Sequence, residues 1–198
     1  MDRTKFFTAC RDGVMGPTLE PHEVEGCEAI LNTMAGVPLS HCAYALATAF
    51  KETNGTMQPV VEAYWIRNAE AWRKKNLRYW PWHGRGLVQL TWEGNYRKAD
   101  LEAAAAGLIA AGALLANPDL ACRIDIAALT MRKGMDEGWF AASKDGRKHT
   151  LARHLPDRVG TEVQFESARR IINGTDCARQ IATYALKFQA ALQAGDWP

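Results

Sequence analysis

The stretch YWPWHGRGLVQLTW, residues 79–92, interrupts a chain that otherwise has the pattern of helices. Its first half combines aromatic residues with Pro and Gly, which favour turns, and Leu87 to Trp92 is predicted to be a short extended segment. On either side, apolar residues recur at the three- and four-residue spacing of amphipathic helices. The sequence therefore predicts a mainly α fold (α+β) in which a small β or irregular element lies between helices and lines a cleft.

Capping residues delimit the two helices before this segment. An apolar stripe runs from Val24 to Met34, and Gly36 and Pro38 end it. Ser40 is the predicted N-cap of the next helix, which continues past Phe50 until Asn54-Gly55.

Two further helices are predicted after the segment. Asn117-Pro118-Asp119 has the sequence of a helix start, with a capping Asn and Pro at the first helical position. This helix is expected to end at Gly134. Asp176 is expected to open the last helix, whose inward stripe consists of Ile181, Tyr184, Ala185, Phe188 and Leu192.

Length and composition are those of one globular domain spanning residues 1–198. The chain is 47% hydrophobic and 23% charged, and its net charge of +2 argues against a dedicated nucleic-acid binder. The five cysteines are scattered and form no C-x-x-C pair, which favours reduced thiols. We expect no cofactor, no metal site and a monomer.

No targeting or membrane segment is evident. The first residues, MDRTKFFTACRD, lack the apolar run of a secretory signal, and the apolar stretch Ala103–Ala116 is too short to span a bilayer. We expect a protein made in the cytoplasm, or in a host cytoplasm, without a signal peptide and without membrane insertion.

Glu52 is the first candidate for chemistry. It follows a helix that is apolar nearly all round, and it lies in the last turn, where the helix dipole disfavours an anion. Burial and the dipole both favour the protonated acid, which a general acid requires. The alternative is an exposed glutamate that only faces water.

Glu62 is the second candidate, ten residues further on. Two carboxylates that flank a glycosidic bond can hydrolyse it, one as acid and the other as base or nucleophile. A solvated surface glutamate is the alternative, since any two glutamates fit such a scheme.

The glycine-flanked Arg85 marks the third candidate element. Gln89 and Thr91 project to the same side if the segment is extended. The surrounding aromatic residues could stack on sugar rings or simply fill the core; they are Tyr64, Trp65, Trp72, Tyr79, Trp80, Trp82, Trp92 and Tyr96.

Two other kinds of site find little support in the sequence. His149 and His154 are five residues apart and do not share one helical face, which argues against a metal site. No serine lies in a nucleophile elbow, which argues against a serine hydrolase.

Three blocks of sequence resemble glycoside hydrolase family 19, which contains chitinases and a branch of bacteriophage endolysins and related bacterial lysins. The blocks are ALATAFKET (residues 45–53), GRGLVQLTW (residues 84–92) with Asn95-Tyr96, and RIING (residues 170–174). Lys51 before Glu52, and the stretch GMDEGWF (residues 134–140), look more like the endolysin branch.

The resemblance implies a lysozyme-like fold, a cleft and an inverting hydrolysis. Glu52 falls on the catalytic acid, Glu62 best matches the second carboxylate of the short branch, and Thr91 falls on the residue that holds the attacking water. The implied or candidate substrate-binding residues are Gln89, Tyr96, Asn173, Arg85 and Tyr64. Chitinases carry the second carboxylate further along, and Gly174-Thr175 departs from the Gly-Gly of the family.

The function expected from these observations is peptidoglycan hydrolysis between N-acetylmuramic acid and N-acetylglucosamine by a lysis enzyme. Such an enzyme would act on the cell wall in the periplasm or outside, and a holin could release it. A chitinase is the alternative enzyme, and a non-catalytic wall-binding module is the alternative from another class.

Overall fold

The computed structural model describes all 198 residues, and helices dominate it. Two short strands, β1 (Val60–Val61) and β2 (Arg85–Gly86), form the only sheet. Segments of π or 3-10 helix lie at Arg11–Met15, Pro118–Cys122 and Arg169–Ile171. The α-helices are α1 Arg3–Cys10, α2 Pro21–Thr33, α3 Leu39–Glu52, α4 Ala69–Asn76, α5 Glu93–Ala105, α6 Ala113–Ala116, α7 Ile124–Glu137, α8 Leu151–His154, α9 Glu162–Ala168 and α10 Ala178–Ala194.

Helix α3 runs through the centre of the core. Every side chain from Leu39 to Ala49 is buried, because the helix is apolar on all faces and neighbouring helices cover each of them. Helix α10 packs along α3, and the rings of Tyr184 and Phe188 meet Phe50 edge to face at 5.1 and 5.9 Å. This packing fixes the end of α3, where Glu52 lies.

The last helix confirms most of its predicted stripe. Ile181, Ala185, Phe188 and Leu192 are buried, whereas Tyr184 is only partly buried. The helix begins at Ala178 rather than at Asp176, since Cys177 adopts a left-handed conformation with φ 54°.

Two other helix starts differ from the predictions. Ser40 lies inside α3, after Pro38 at the N-cap, and its hydroxyl donates to the carbonyl of Asp157 at 2.6 Å. Asn117 caps the 3-10 segment and not α7, because extended Arg123 separates the two. The predicted stop at Gly134 is also wrong, as α7 continues to Glu137.

A small β element lies between the helices, as predicted. Strands β1 and β2 pair antiparallel, with Val60 opposite Gly86 and Val61 opposite Arg85. The predicted extended run over residues 87–92 is wrong, however. Gly86 has φ +90°, a conformation that favours glycine, and the chain turns back so that Leu90 N donates to the Arg85 carbonyl at 2.8 Å.

No helix of the structure has both the length and the apolar character needed to cross a bilayer.

All five cysteines are free thiols, and Cys10, Cys27 and Cys42 are buried. Burial raises the pKa of the Cys10 thiol to about 12, so this cysteine behaves as a small core residue.

Candidate active site

A cleft of about 420 Å³ opens beside the β element and the end of α3. Distant parts of the chain converge on it, including all three blocks that carry the family resemblance. Its lining residues are Glu52, Glu62, Tyr79, Val88, Gln89, Thr91, Trp92, Asn95, Phe140, Arg169, Ile172 and Asn173.

Glu52 is the last residue of α3, and 20% of its side chain is exposed to the cleft. The guanidinium of Arg169 donates to its Oε1 at 2.6 Å, and the Arg169 side chain is only 5% exposed. This charge-assisted hydrogen bond fixes the orientation of the carboxyl group in the cleft. The sequence placed Glu52 at the end of its helix but did not reveal this partner.

Arg169 is held in place from its other side. Its Nε donates to the backbone carbonyl of Asp176 at 2.9 Å, which anchors the guanidinium beneath the cleft. The 3-10 segment that contains Arg169 leads directly to Ile172 and Asn173. The Asn173 side chain is exposed and makes no hydrogen bond to the protein, so its amide is free to bind a ligand.

Glu62 directly follows β1 and has a different environment. The hydroxyl of Tyr79 donates to Oε1 at 2.7 Å, and the backbone N–H of Gly84 donates to Oε2 at 2.8 Å. Burial, and then the bond to Glu62, raise the pKa of Tyr79 to about 12, so the phenol remains a donor at neutral pH. Two donors, one on each oxygen, fix the orientation of the Glu62 carboxyl group.

Gln89 and Thr91 reach the cleft through a turn and not through the predicted strand. Gln89 has φ 57°, and its amide donates to the carbonyl of Val60 at 3.2 Å, which ties the turn to β1. The Thr91 hydroxyl donates to the Gln89 carbonyl at 2.8 Å, and Asn95 donates to the Thr91 carbonyl at 3.1 Å. The same turn thus presents both predicted polar side chains to the cleft.

Arg85 and Tyr96 do not line the cleft, which corrects their predicted role in substrate binding. Both are buried, and Arg85 Nη1 donates to the Tyr96 hydroxyl at 2.9 Å. The hydroxyl in turn donates to the carbonyl of His83 at 2.7 Å, while Arg85 pairs with Asp119 at 2.9 Å. These contacts hold the β element against the helices from behind.

Tyr64 also lies outside the cleft. It is 55% exposed and packs edge to face against the ring of Trp65, which is 73% exposed. Of the aromatic residues considered for sugar stacking, Tyr79 and Trp92 line the cleft, with ring centroids 5.0 Å apart.

The sequence missed Arg169 and Phe140 as cleft residues. A carboxylate at the end of an apolar helix needs a cation or water, so a buried partner for Glu52 could have been sought among the arginines. Phe140 belongs to the stretch that resembles endolysins. Its ring packs onto Gly134, where a Cβ would lie 2.2 Å from the ring.

His149 and His154 meet although their spacing does not place them on one helical face. His149 precedes α8, and its Nδ1 lies 2.8 Å from Nε2 of His154, the last residue of that helix. Nδ1 of His154 lies 2.9 Å from the Ser167 hydroxyl. No group of three or more His, Cys, Asp and Glu side chains is arranged to hold a metal ion.

Comparison with known proteins identifies the fold. No protein-family model and no curated protein matches the chain. Among solved structures, chitinase C from Streptomyces griseus HUT6037 is 20% identical with a TM-score of 0.57, covering 98% of this chain and 76% of that chain. A bacterial family 19 chitinase is also 20% identical with a TM-score of 0.57, covering 100% of this chain and 95% of that one. The chain therefore has the mainly helical, lysozyme-like fold seen in family 19 chitinases.

Proposed function

We propose that this protein is a glycosidase that hydrolyses β-1,4 bonds in a polymer of N-acetylated sugars. The observation that carries this proposal is the presence of two carboxylates, Glu52 and Glu62, in one cleft with different partners. In glycosidases, two carboxyl groups in different surroundings have different roles, one as acid and the other as base or nucleophile.

In the proposed mechanism, Glu52 is the general acid and Glu62 the general base. Glu52 donates its proton to the glycosidic oxygen as the bond to the anomeric carbon breaks. Glu62 accepts a proton from a water molecule, whose oxygen attacks the anomeric carbon from the opposite face, so the configuration inverts. The scheme requires the carboxyl groups to be about 6.5–9.5 Å apart.

Thr91 and Tyr79 support the base in this scheme. The Thr91 hydroxyl lines the same cleft and is proposed to hold the attacking water. Tyr79 is a positioning residue, because it acts through its hydrogen bond to Glu62. Gln89 and Asn173 are proposed to bind the N-acetylated sugars, whose amide and hydroxyl groups match a side-chain amide.

We propose peptidoglycan as the polymer and the bond between N-acetylmuramic acid and N-acetylglucosamine as the one that is cut. The support is the resemblance of Lys51 and of residues 134–140 to endolysins, together with the position of Phe140 in the cleft. The site of action would then be the cell wall, as expected for a lysis enzyme. A chitinase is the second candidate, favoured by the solved structures that share the fold.

The decisive experiment measures reducing ends released from purified peptidoglycan and from soluble chitin oligomers, side by side. The wild type is compared with Glu52→Gln, and with Glu162→Gln as a matched control on an exposed glutamate outside the cleft. Loss of the general acid should lower turnover at least about a hundredfold. Glu162→Gln should leave it unchanged.

Each result has one meaning. Release from peptidoglycan alone, lost in Glu52→Gln, supports the proposal, whereas release from chitin alone favours the chitinase. If Glu52→Gln keeps more than about a tenth of wild-type turnover, Glu52 is not the general acid. Binding to cell walls without any release by the wild type would leave only a binding module.

A further inference from the structure

An unpaired arginine lies at the rim of the cleft. The Arg78 guanidinium carbon is 5.1 Å from the ring centroid of Trp92, which lines the cleft and is 46% exposed. Arg78 itself is exposed, and no carboxylate or other acceptor of the protein binds its N–H groups. Its donors are therefore free for a ligand.

Three other arginines in this region form ion pairs within the fold. Arg73 pairs with Glu70, Arg85 with Asp119 and Arg169 with Glu52, and each of these arginines is buried. Arg78 differs in being exposed and held against an aromatic ring. Stacking of a guanidinium on an indole ring limits the freedom of the side chain and leaves the N–H groups at its edge available.

The charge of Arg78 matters because the cleft contains two carboxylates. Glu52 is paired with Arg169, but Glu62 has only neutral donors, Tyr79 and the Gly84 backbone. An anionic ligand would be repelled by Glu62 unless a cation at the rim offset that repulsion. A neutral sugar polymer would not be repelled by Glu62, so its binding would not require such a cation.

We propose that Arg78 binds a carboxylate carried by the substrate, through the forked N–H groups that match this anion. This inference rests on the proposed glycosidase function. It selects N-acetylmuramic acid over N-acetylglucosamine, since the former carries a lactyl group with a carboxyl and the latter is neutral. The carboxylate belongs either to the lactyl group itself or to a peptide attached to it.

A second cation lies over an aromatic ring on the same segment of chain, outside the residues that line the cleft. The Lys74 ammonium lies 5.3 Å from the ring centroid of Trp80, and Lys75 follows it in the last turn of α4. The short chain between these lysines and Arg78 places several cations on one segment.

Binding of three short ligands tests the inference without requiring turnover. They are di-N-acetylchitobiose, which is neutral, the N-acetylglucosaminyl-N-acetylmuramic acid disaccharide, and the same disaccharide carrying a stem peptide on its lactyl group. Dissociation constants are measured by NMR titration for the wild type, Arg78→Gln and Arg67→Gln. Arg67 is an exposed, unpaired arginine that neither lines the cleft nor stacks on a ring that does.

The expected result is a preference of the wild type for a carboxylated ligand over chitobiose. Arg78→Gln should reduce that preference about threefold to tenfold, as for loss of a partly exposed charge-assisted bond, and Arg67→Gln should not. The difference between wild type and Arg78→Gln should shrink as salt is raised. If Arg78→Gln loses the preference for the free disaccharide, the carboxylate that Arg78 binds is that of the lactyl group. If it loses only the preference for the peptide-bearing disaccharide, the carboxylate belongs to the peptide.

Equal binding of all three ligands by the wild type would overturn the inference, and so would an unchanged preference in Arg78→Gln. If Arg78→Gln loses affinity for chitobiose as much as for the carboxylated ligands, Arg78 only holds Trp92 in place and the inference is wrong. These results are independent of the reducing-end assay: absent turnover refutes the glycosidase, whereas absent selectivity refutes only the role of Arg78.

Discussion

Arg169 Nη1 lies 2.6 Å from Oε1 of Glu52, in an ion pair that joins positions 117 residues apart. The pair ties the end of the central helix α3 to the segment that carries Asn173. It also places a buried cation against the proposed general acid. Arg169 therefore orients the Glu52 carboxyl group at the cleft.

Replacing Arg169 should consequently lower turnover. Its guanidinium makes the only hydrogen bond of the protein to the Glu52 carboxyl group, so Arg169→Met leaves that group without a fixed position, and kcat should fall about tenfold. Arg169→Lys, which keeps a charged donor, should retain more of the wild-type kcat. The rates are measured on whichever polymer the wild type cuts, with circular dichroism to establish that each variant folds. Equal kcat in all three proteins would contradict the proposed role of Arg169 in positioning Glu52.

The hydroxyl of Tyr79 should matter for turnover more than for binding. Tyr79→Phe removes the donor on Glu62 Oε1 and leaves the Gly84 N–H on the other oxygen. We expect kcat to fall about tenfold, the range for loss of a hydrogen bond to a charged group, with KM nearly unchanged. Tyr64→Phe, on a tyrosine outside the cleft, is the control. A rise in KM at constant kcat would instead place Tyr79 in substrate binding.

The fold and half of the site follow from short-range sequence patterns. Helix α3 was predictable because apolar residues occur on all of its faces, and Glu52 follows as its last residue. Gln89, Thr91 and Asn173 were placed by their blocks of sequence, and the structure brings all three to the cleft.

The rest depends on contacts between distant residues. Nothing local indicates that Arg169 meets Glu52, or that Tyr79 binds Glu62. The strand predicted over residues 87–92 failed because the left-handed conformation of Gly86 starts a turn that closes onto Arg85. Arg85 was misassigned for a related reason: its flanking glycines suggested close approach to a ligand, whereas its partners are Tyr96 and Asp119.

Tyr96 should contribute to stability and not to substrate binding. Its buried hydroxyl bridges Arg85 and the His83 carbonyl, so Tyr96→Phe leaves two buried groups each short of one partner. The expected cost is about 1–3 kcal/mol, which for a chain of this size lowers Tm by several degrees. Thermal unfolding measures it, and KM should equal that of the wild type. A raised KM at unchanged Tm would restore Tyr96 as a substrate-binding residue.

His83 should make stability depend on pH. Its ring is 1% exposed and neither nitrogen bonds to a protein group, and burial, reinforced by Arg85, lowers its pKa to about 4. The unfolded chain, in which a histidine has a pKa near 6.5, therefore binds more protons than the folded protein between pH 6.5 and 4. Above about pH 6.5, the contribution of His83 to the free energy of unfolding should not change with pH. It should fall as pH is lowered, by on the order of 2 kcal/mol down to pH 5.

His83→Phe should remove that part of the pH dependence. It also replaces two unpaired buried nitrogens with carbon, so the variant should be more stable than the wild type at pH 7 by about 1 kcal/mol. Urea unfolding at pH 7, 6 and 5 measures both effects, with His22→Gln on the exposed start of α2 as the control. Because burial also lowers the pKa of His41, His149 and His154, some dependence should remain in the variant. A slope equal to that of the wild type, or lower stability at pH 7, would mean that the His83 ring gains a hydrogen-bonding partner in solution.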